Sequence, residues 1–189
     1  AMGIDYQVGF SLMIENCVIA GFPDGIRRSD NDGRLFLSNT DFRNLSGTGI
    51  LIDDSLGVGA FVTIERCRFV RVATAISAAN HVYAAVRDSS FLDCSTALHM
   101  ATTAALGHGI ADMHVERCVF LRGETVFSTI ATNDGTARIR VSNSTIVSNV
   151  TLAQTINNGG DGASGVYTYG NNRVSATASG AFTGPVARS

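Results

Sequence analysis

Four short strings in this chain carry side chains suited to acid–base chemistry on a polymer. In order they are Asn39-Thr40-Asp41, Asp53-Asp54, Gly107-His108-Gly109 and Arg138-Ile139-Arg140. Cleaving a glycosidic bond by inversion takes two carboxyl groups, one protonating the leaving oxygen and one directing water, about 6.5–9.5 Å apart. Asp41, Asp53 and Asp54 are the acids on hand, and His108 is the further acid–base candidate. Elimination on an acidic sugar would instead need aspartates gathered around calcium and a base to take the proton. Either chemistry depends on which side chains the fold brings to one face.

The elements that must position them repeat. The segment SLMIENCVIAGFPDGI (11–26) recurs loosely as RLFLSNTDFRNLSGTGI (34–50), AFVTIERCRFVRVATAI (60–76), VYAAVRDSSFLDCSTAL (82–98), ADMHVERCVFLRGETVF (111–127) and ARIRVSNSTIVSNVTLA (137–153), and more weakly as GVYTYGNNRVSATASGAF (165–182). A repeated unit means stacked copies of one supersecondary element. Marker residues Cys17, Thr40, Cys67, Ser89, Cys118, Ser144 and Asn172 follow one another at 22 to 29 residues, one solenoid turn with elastic loops. Around each marker the apolar residues alternate with period two, as strands do. Leu12/Ile14, Leu35/Leu37, Val62/Ile64, Ala84/Val86, Met113/Val115 and Ile139/Val141 are expected inside. A second inward file follows at Ile19, Phe42, Phe69, Phe91, Phe120, Ile146 and Val174, and a third at Ile26, Ile50, Ile76, Leu98 and Phe127. Helical repeats would need i, i+3, i+4 spacing, and a hexapeptide helix a six-residue register; neither occurs. The pattern predicts an all-β solenoid, a single-stranded right-handed parallel β-helix of about seven coils with three short strands per coil.

The repeat resembles the pectate-lyase-like right-handed β-helix superfamily over roughly residues 11 to 182. Within it, GFSLMIENCVIAGF (9–22) and YGNNRV (169–174) are similar to bacterial β-helix repeat proteins of unassigned function. The four strings resemble, in order, the NTD, DD, GHG and RIK signatures of polygalacturonase-type hydrolases, with RIR in last place. The superfamily implies a polysaccharide lyase or glycoside hydrolase of the pectin-degrading type as one function, and adhesins, tailspikes or inert spacers as others. A secreted or cell-surface location follows from that analogy alone.

Coil geometry then weighs the strings. Paired acids on one face should lie one turn apart, yet Asp41 and Asp53 are 12 residues apart and so are expected on different faces of one turn. His108 lies about two turns beyond Asp54. Glu65, Arg87 and Glu116 form an outward ladder of alternating sign, Asp41 stacks beside Arg68, and His114 stands outward between Ala85 and Arg140 as a surface residue. These columns predict structural ion pairs. The expectation is therefore a non-enzymatic scaffold or binding module whose ligand stays open, polysaccharide being one candidate, with the carbohydrate-active enzyme as the alternative. No cofactor or metal is expected. Neighbouring coils about 4.8 Å apart put Cys17, Cys67 and Cys118 two turns from one another, too far for disulfides, so all four cysteines are expected as buried free thiols.

One outward file is apolar for four turns: Val70, Leu92, Leu121 and Val147, flanked by Val119. Such a stripe implies a cover, either the tail from Ala176 to Ser189 or a second copy about a two-fold axis. The loops 29–33, 54–59, 101–109, 131–136 and 157–165 share one edge, where solenoids vary and often bind. Residues 1–189 are expected as a single domain, with 1–10 an incomplete coil, 11–175 regular coils and 176–189 a tail or cap. The incomplete first coil suggests a piece of a longer protein with an open edge that self-associates. A net charge of −2 without a basic run gives no footprint for nucleic acid. No stretch reaches the roughly 20 apolar residues of a membrane span.

Overall fold

The computed structural model describes the chain apart from residues 8, 30–32, 55, 56, 58, 104–108, 148–150, 159–162, 176–179 and 186–189, and the side chain of Pro185. It is a right-handed parallel β-helix with about six complete coils, and every strand pairing among the described residues is parallel. The first face is an eight-stranded sheet: Ser11–Glu15, Arg34–Ser38, Ala60–Glu65, Val82–Arg87, Ile110–Glu116, Thr136–Ser142, Ala163–Thr168 and Gly184–Pro185. The second and third faces belong to one twelve-stranded sheet. In most coils the second-face strand is only three residues long, as in Ser90–Leu92 and Val119–Leu121. Two coils depart from the expected three short strands. There Asp41–Asp54 and Arg68–Asn80 run unbroken through both faces, with a register shift between Leu45 and Thr48 marking the corner.

Sharp corners without glycine need residues in the left-handed region, which costs most side chains roughly 1–2 kcal/mol each. The corner after the first face uses Asn16, Asn39, Arg66, Asp88, Arg117, Asn143 and Asn171, one per coil, at φ between 47° and 58°. Each is followed by the marker residue, and the markers link the coils. Ser89 Oγ accepts the Cys67 N–H at 3.1 Å and donates to the Arg87 carbonyl at 2.7 Å. Ser144 Oγ does the same for Cys118 and Ser142, at 3.1 and 2.8 Å. Buried N–H groups that a tight corner would orphan are thus satisfied by the next hydroxyl up the column.

Inside, the expected files stand in register, except that Val174 at the end of the second file pairs with Ile146 yet is exposed. Phe42, Phe69, Phe91 and Phe120 stack face to face with centroids 4.7, 4.9 and 4.8 Å apart and planes within 8°. Phe127 closes the stack edge-on at 5.1 Å. Centroid spacing near the coil repeat is what a parallel ladder imposes on identical side chains. At the C-terminal end Phe182 packs on Phe127, Thr183 N–H donates to the Val166 carbonyl, and Gly184–Pro185 extends the first face. Gly180 suits that position twice over: its φ is +90°, and a Cβ there would collide with the Ala153 carbonyl.

The thiols need one correction. All four are free, and Cys67, Cys94 and Cys118 are buried, but Cys17 is exposed. Its column neighbour Thr40 covers it from one side only, whereas the others have a coil on both sides. Burial pushes the Cys67 thiol up, Cys94 up to about 11 and Cys118 up to about 12, so these three behave as small apolar side chains.

Candidate functional site

The expected acids do not converge. Asp41 opens the second face and is ion-paired with Arg43. Asp53 and Asp54 close the third face at the far end of the same strand. Asp53 Oδ1 accepts from Asn80 Nδ2 at 3.0 Å, and buried Asp54 accepts the Gly59 N–H at 2.6 Å. Both acids pin the chain where it leaves the coil. His108, and parts of four of the five loops, lie outside the described residues, whereas 131–136 is described throughout. Among the described residues no three His, Cys, Asp or Glu side chains gather around a point that could hold a metal.

The apolar stripe is real as a file. Val70, Leu92, Leu121 and Val147 are register partners on the second face, with Val119 one file over beside Ser90. All five are half-buried. The described part of the tail, 180–185, lies across the last coil.

The fourth string leads elsewhere. Ile139 points into the core while Arg138 and Arg140 point out, flanking Asp112 of the preceding coil. The Asp112 side chain is only 9 % exposed; its Oδ2 takes Arg138 Nη2 at 3.1 Å and also meets Arg140. A nearly buried carboxylate is tolerable because two guanidiniums offset its charge. Its other oxygen, Oδ1, has no hydrogen-bond partner among the described residues. Arg140 reaches a second acceptor, with Nη1 2.6 Å from His114 Nε2. A guanidinium only donates, so Nε2 must hold its lone pair and the imidazole proton sits on Nδ1. Burial, then the adjacent Arg140, hold His114 below its ordinary pKa of 6.5.

Asp112, His114 and Arg140 edge a depression of about 470 Å³ on the outside of the first face. Ala85 forms its floor, since the file Thr63–Ala85–His114–Arg140 has its smallest member there. One wall is an aromatic pair: Phe61 and Tyr83 stack at 5.6 Å and 17°, half exposed at 51 % and 43 %. The opposite wall is Arg87, held between Glu65 and Glu116 at 3.7 Å to each, as the expected charge ladder requires. Exposed rings beside guanidiniums around a small-residue floor are the chemistry that stacking and charge pairing with a ligand would need.

A family model described as "Right handed beta helix region" matches residues 3–177. The chain belongs to that right-handed β-helix family. No curated protein and no solved structure matches it. Membership in the β-helix family accounts for the coil and its inward files. What is particular to this β-helix stands outside the first face, where the file Arg34–Phe61–Tyr83–Asp112–Arg138 repeats nothing beyond its aromatic pair. That break in repetition was the available signal for the site. It is visible only once outward files are compared as closely as inward ones.

Proposed function

We propose that this β-helix is a non-enzymatic binding module that holds an acidic polysaccharide along its first face. The observation that carries the reading is the depression over Ala85, where the Phe61–Tyr83 pair faces Arg87 and Arg140. Sugar C–H groups lie against aromatic rings, and carboxylates and hydroxyls against guanidiniums, so an acidic sugar uses both walls. A polymer suits the site because a second, smaller depression adjoins it on the same face, lined by Met13, Phe36 and Glu65 and sharing Thr63 with the first. The non-enzymatic half of the reading rests on the acids. Inverting hydrolysis needs two carboxyl groups across the sugar, whereas the depression holds one, already engaged by Arg138 and Arg140.

Calorimetric titration with oligogalacturonate and with a neutral oligosaccharide of equal length tests this. The acidic ligand should bind and the neutral one should bind at least tenfold more weakly. Tyr83→Ala and Arg140→Gln should each cost about 1.4 kcal/mol, a tenfold loss. Equal affinity for both ligands, or wild-type affinity in both variants, removes the first face as the site. Unsaturated or reducing-end products in the same mixtures would replace binding by catalysis.

A further inference from the structure

We propose that His114 is a proton-operated positioner of Arg140: neutral, it holds the guanidinium against Asp112; protonated, it releases Arg140 to an anionic ligand in the depression. The geometry is specific. Arg140 is shared between two acceptors, the Asp112 carboxylate and His114 Nε2. Adding a proton to Nε2 removes the lone pair that receives Arg140 and places two cations in contact.

Of the charged groups around His114, Arg140 acts most strongly; it adds to burial, with Arg87 in the same sense and Asp112 and Glu116 opposing. On its own strand stand Asp112 and Glu116, on the preceding strand Tyr83 and Arg87, and on the following strand Arg138 and Arg140. Glu116 and Glu65 are engaged with Arg87, and Asp112 with the two arginines. Tyr167 is the register partner of Arg140, and the Tyr169 ring lies 6.1 Å from the imidazole. The pKa of His114, already held below 6.5 by burial and Arg140, agrees with a neutral resting state. A bound carboxylate would relieve the repulsion between His114⁺ and Arg140, so by linkage binding takes up a proton and strengthens as pH falls.

This inference rests on the anionic-saccharide reading, and its test separates the two. First, histidine side-chain NMR without ligand follows His114 in the wild type and in Arg140→Gln, each confirmed folded by circular dichroism. The wild-type imidazole should titrate below 6.5, and Arg140→Gln should raise it by about half a pH unit or more. Second, oligogalacturonate affinity is measured at pH 7.5 and 5.0, where the sugar carboxylates stay ionised. Affinity should rise about threefold to tenfold in acid for the wild type. It should stay flat in His114→Gln, which keeps an acceptor for Arg140 but cannot titrate. A His114 pKa indifferent to Arg140→Gln overturns the proposal, and so does a pH dependence that survives in His114→Gln. NMR coupling with no saccharide bound at either pH overturns the choice of ligand while supporting the hold of His114 on Arg140.

Discussion

The first and third faces are built on the same coils in the same register, and each carries one histidine in its middle outward file. His99 of the third face lies between Ser77 and Ser128, its Nδ1 3.1 Å from Ser128 Oγ. His114 of the first face lies between Ala85 and Arg140. Burial alone lowers the His99 pKa, while His114 is lowered by burial and then by a cation. Their surroundings differ in the same sense. Thr48, Thr74, Thr96, Thr125 and Thr151 form one unbroken file on the third face, and from Thr74 onward its strands contain no acid, lysine or arginine. The first face sets rings, acids and arginines against one another within four coils. Where a file repeats, stacking on the next coil is demand enough. Where it breaks, stacking on the next coil does not by itself dictate the residues.

The largest expected effect should hit both faces alike. Phe91 sits between Phe69 and Phe120 in the shared interior and is 2 % exposed. Phe91→Ala should destabilise by about 3–5 kcal/mol, read as a shift in the urea midpoint. A cost below about 1 kcal/mol would mean the ring file is ornament and the faces are held apart by something else. A smaller effect should separate the two histidines. A hydroxyl both donates and accepts, so Ser128 can bond neutral or protonated His99 and favours neither strongly. Ser128→Ala should therefore leave the His99 pKa within about 0.3 of its wild-type value by NMR, in contrast to the rise that Arg140→Gln brings at His114. A large shift at His99 would erase the distinction between a buried histidine and a coupled one.

The coil was legible because burial leaves little freedom. Phe69, Phe91 and Phe120 must meet at a coil's spacing, so aligning the repeats aligned the structure. The corners were less so. Arg66 and Arg117 take the left-handed conformation that Asn or Asp fills in other coils; the following Cys N–H is held there by a serine hydroxyl of the next coil, and Arg117 also pairs with Asp88 of the preceding corner. Asp53 and Asp54 look like a catalytic pair in the sequence, yet Asp54 holds the Gly59 N–H of its own loop and Asp53 meets Asn80, which only the next coil brings near. The column of His114 was readable, and reads as a surface histidine beside arginine. Its meaning was not, because it depends on the dent left by the short Ala85 side chain and on two rings that stack outside the sheet.

The smallest expected effect is the sharpest check on the contrast between faces. Thr96 is half-buried in the middle of the threonine file, with Thr74 and Thr125 as register partners. Thr96→Val keeps the branched shape and exchanges a hydroxyl for a methyl group. Valine fits a pleated surface at least as well, and a substitution at such a position shifts stability by no more than about 0.5 kcal/mol. If the third face only packs, oligogalacturonate affinity should be unchanged and the thermal midpoint should move by a degree or two. Should Thr96→Val weaken saccharide binding as much as Tyr83→Ala, the regular file would be as functional as the irregular one. Broken repetition would then no longer distinguish a working face from a structural one.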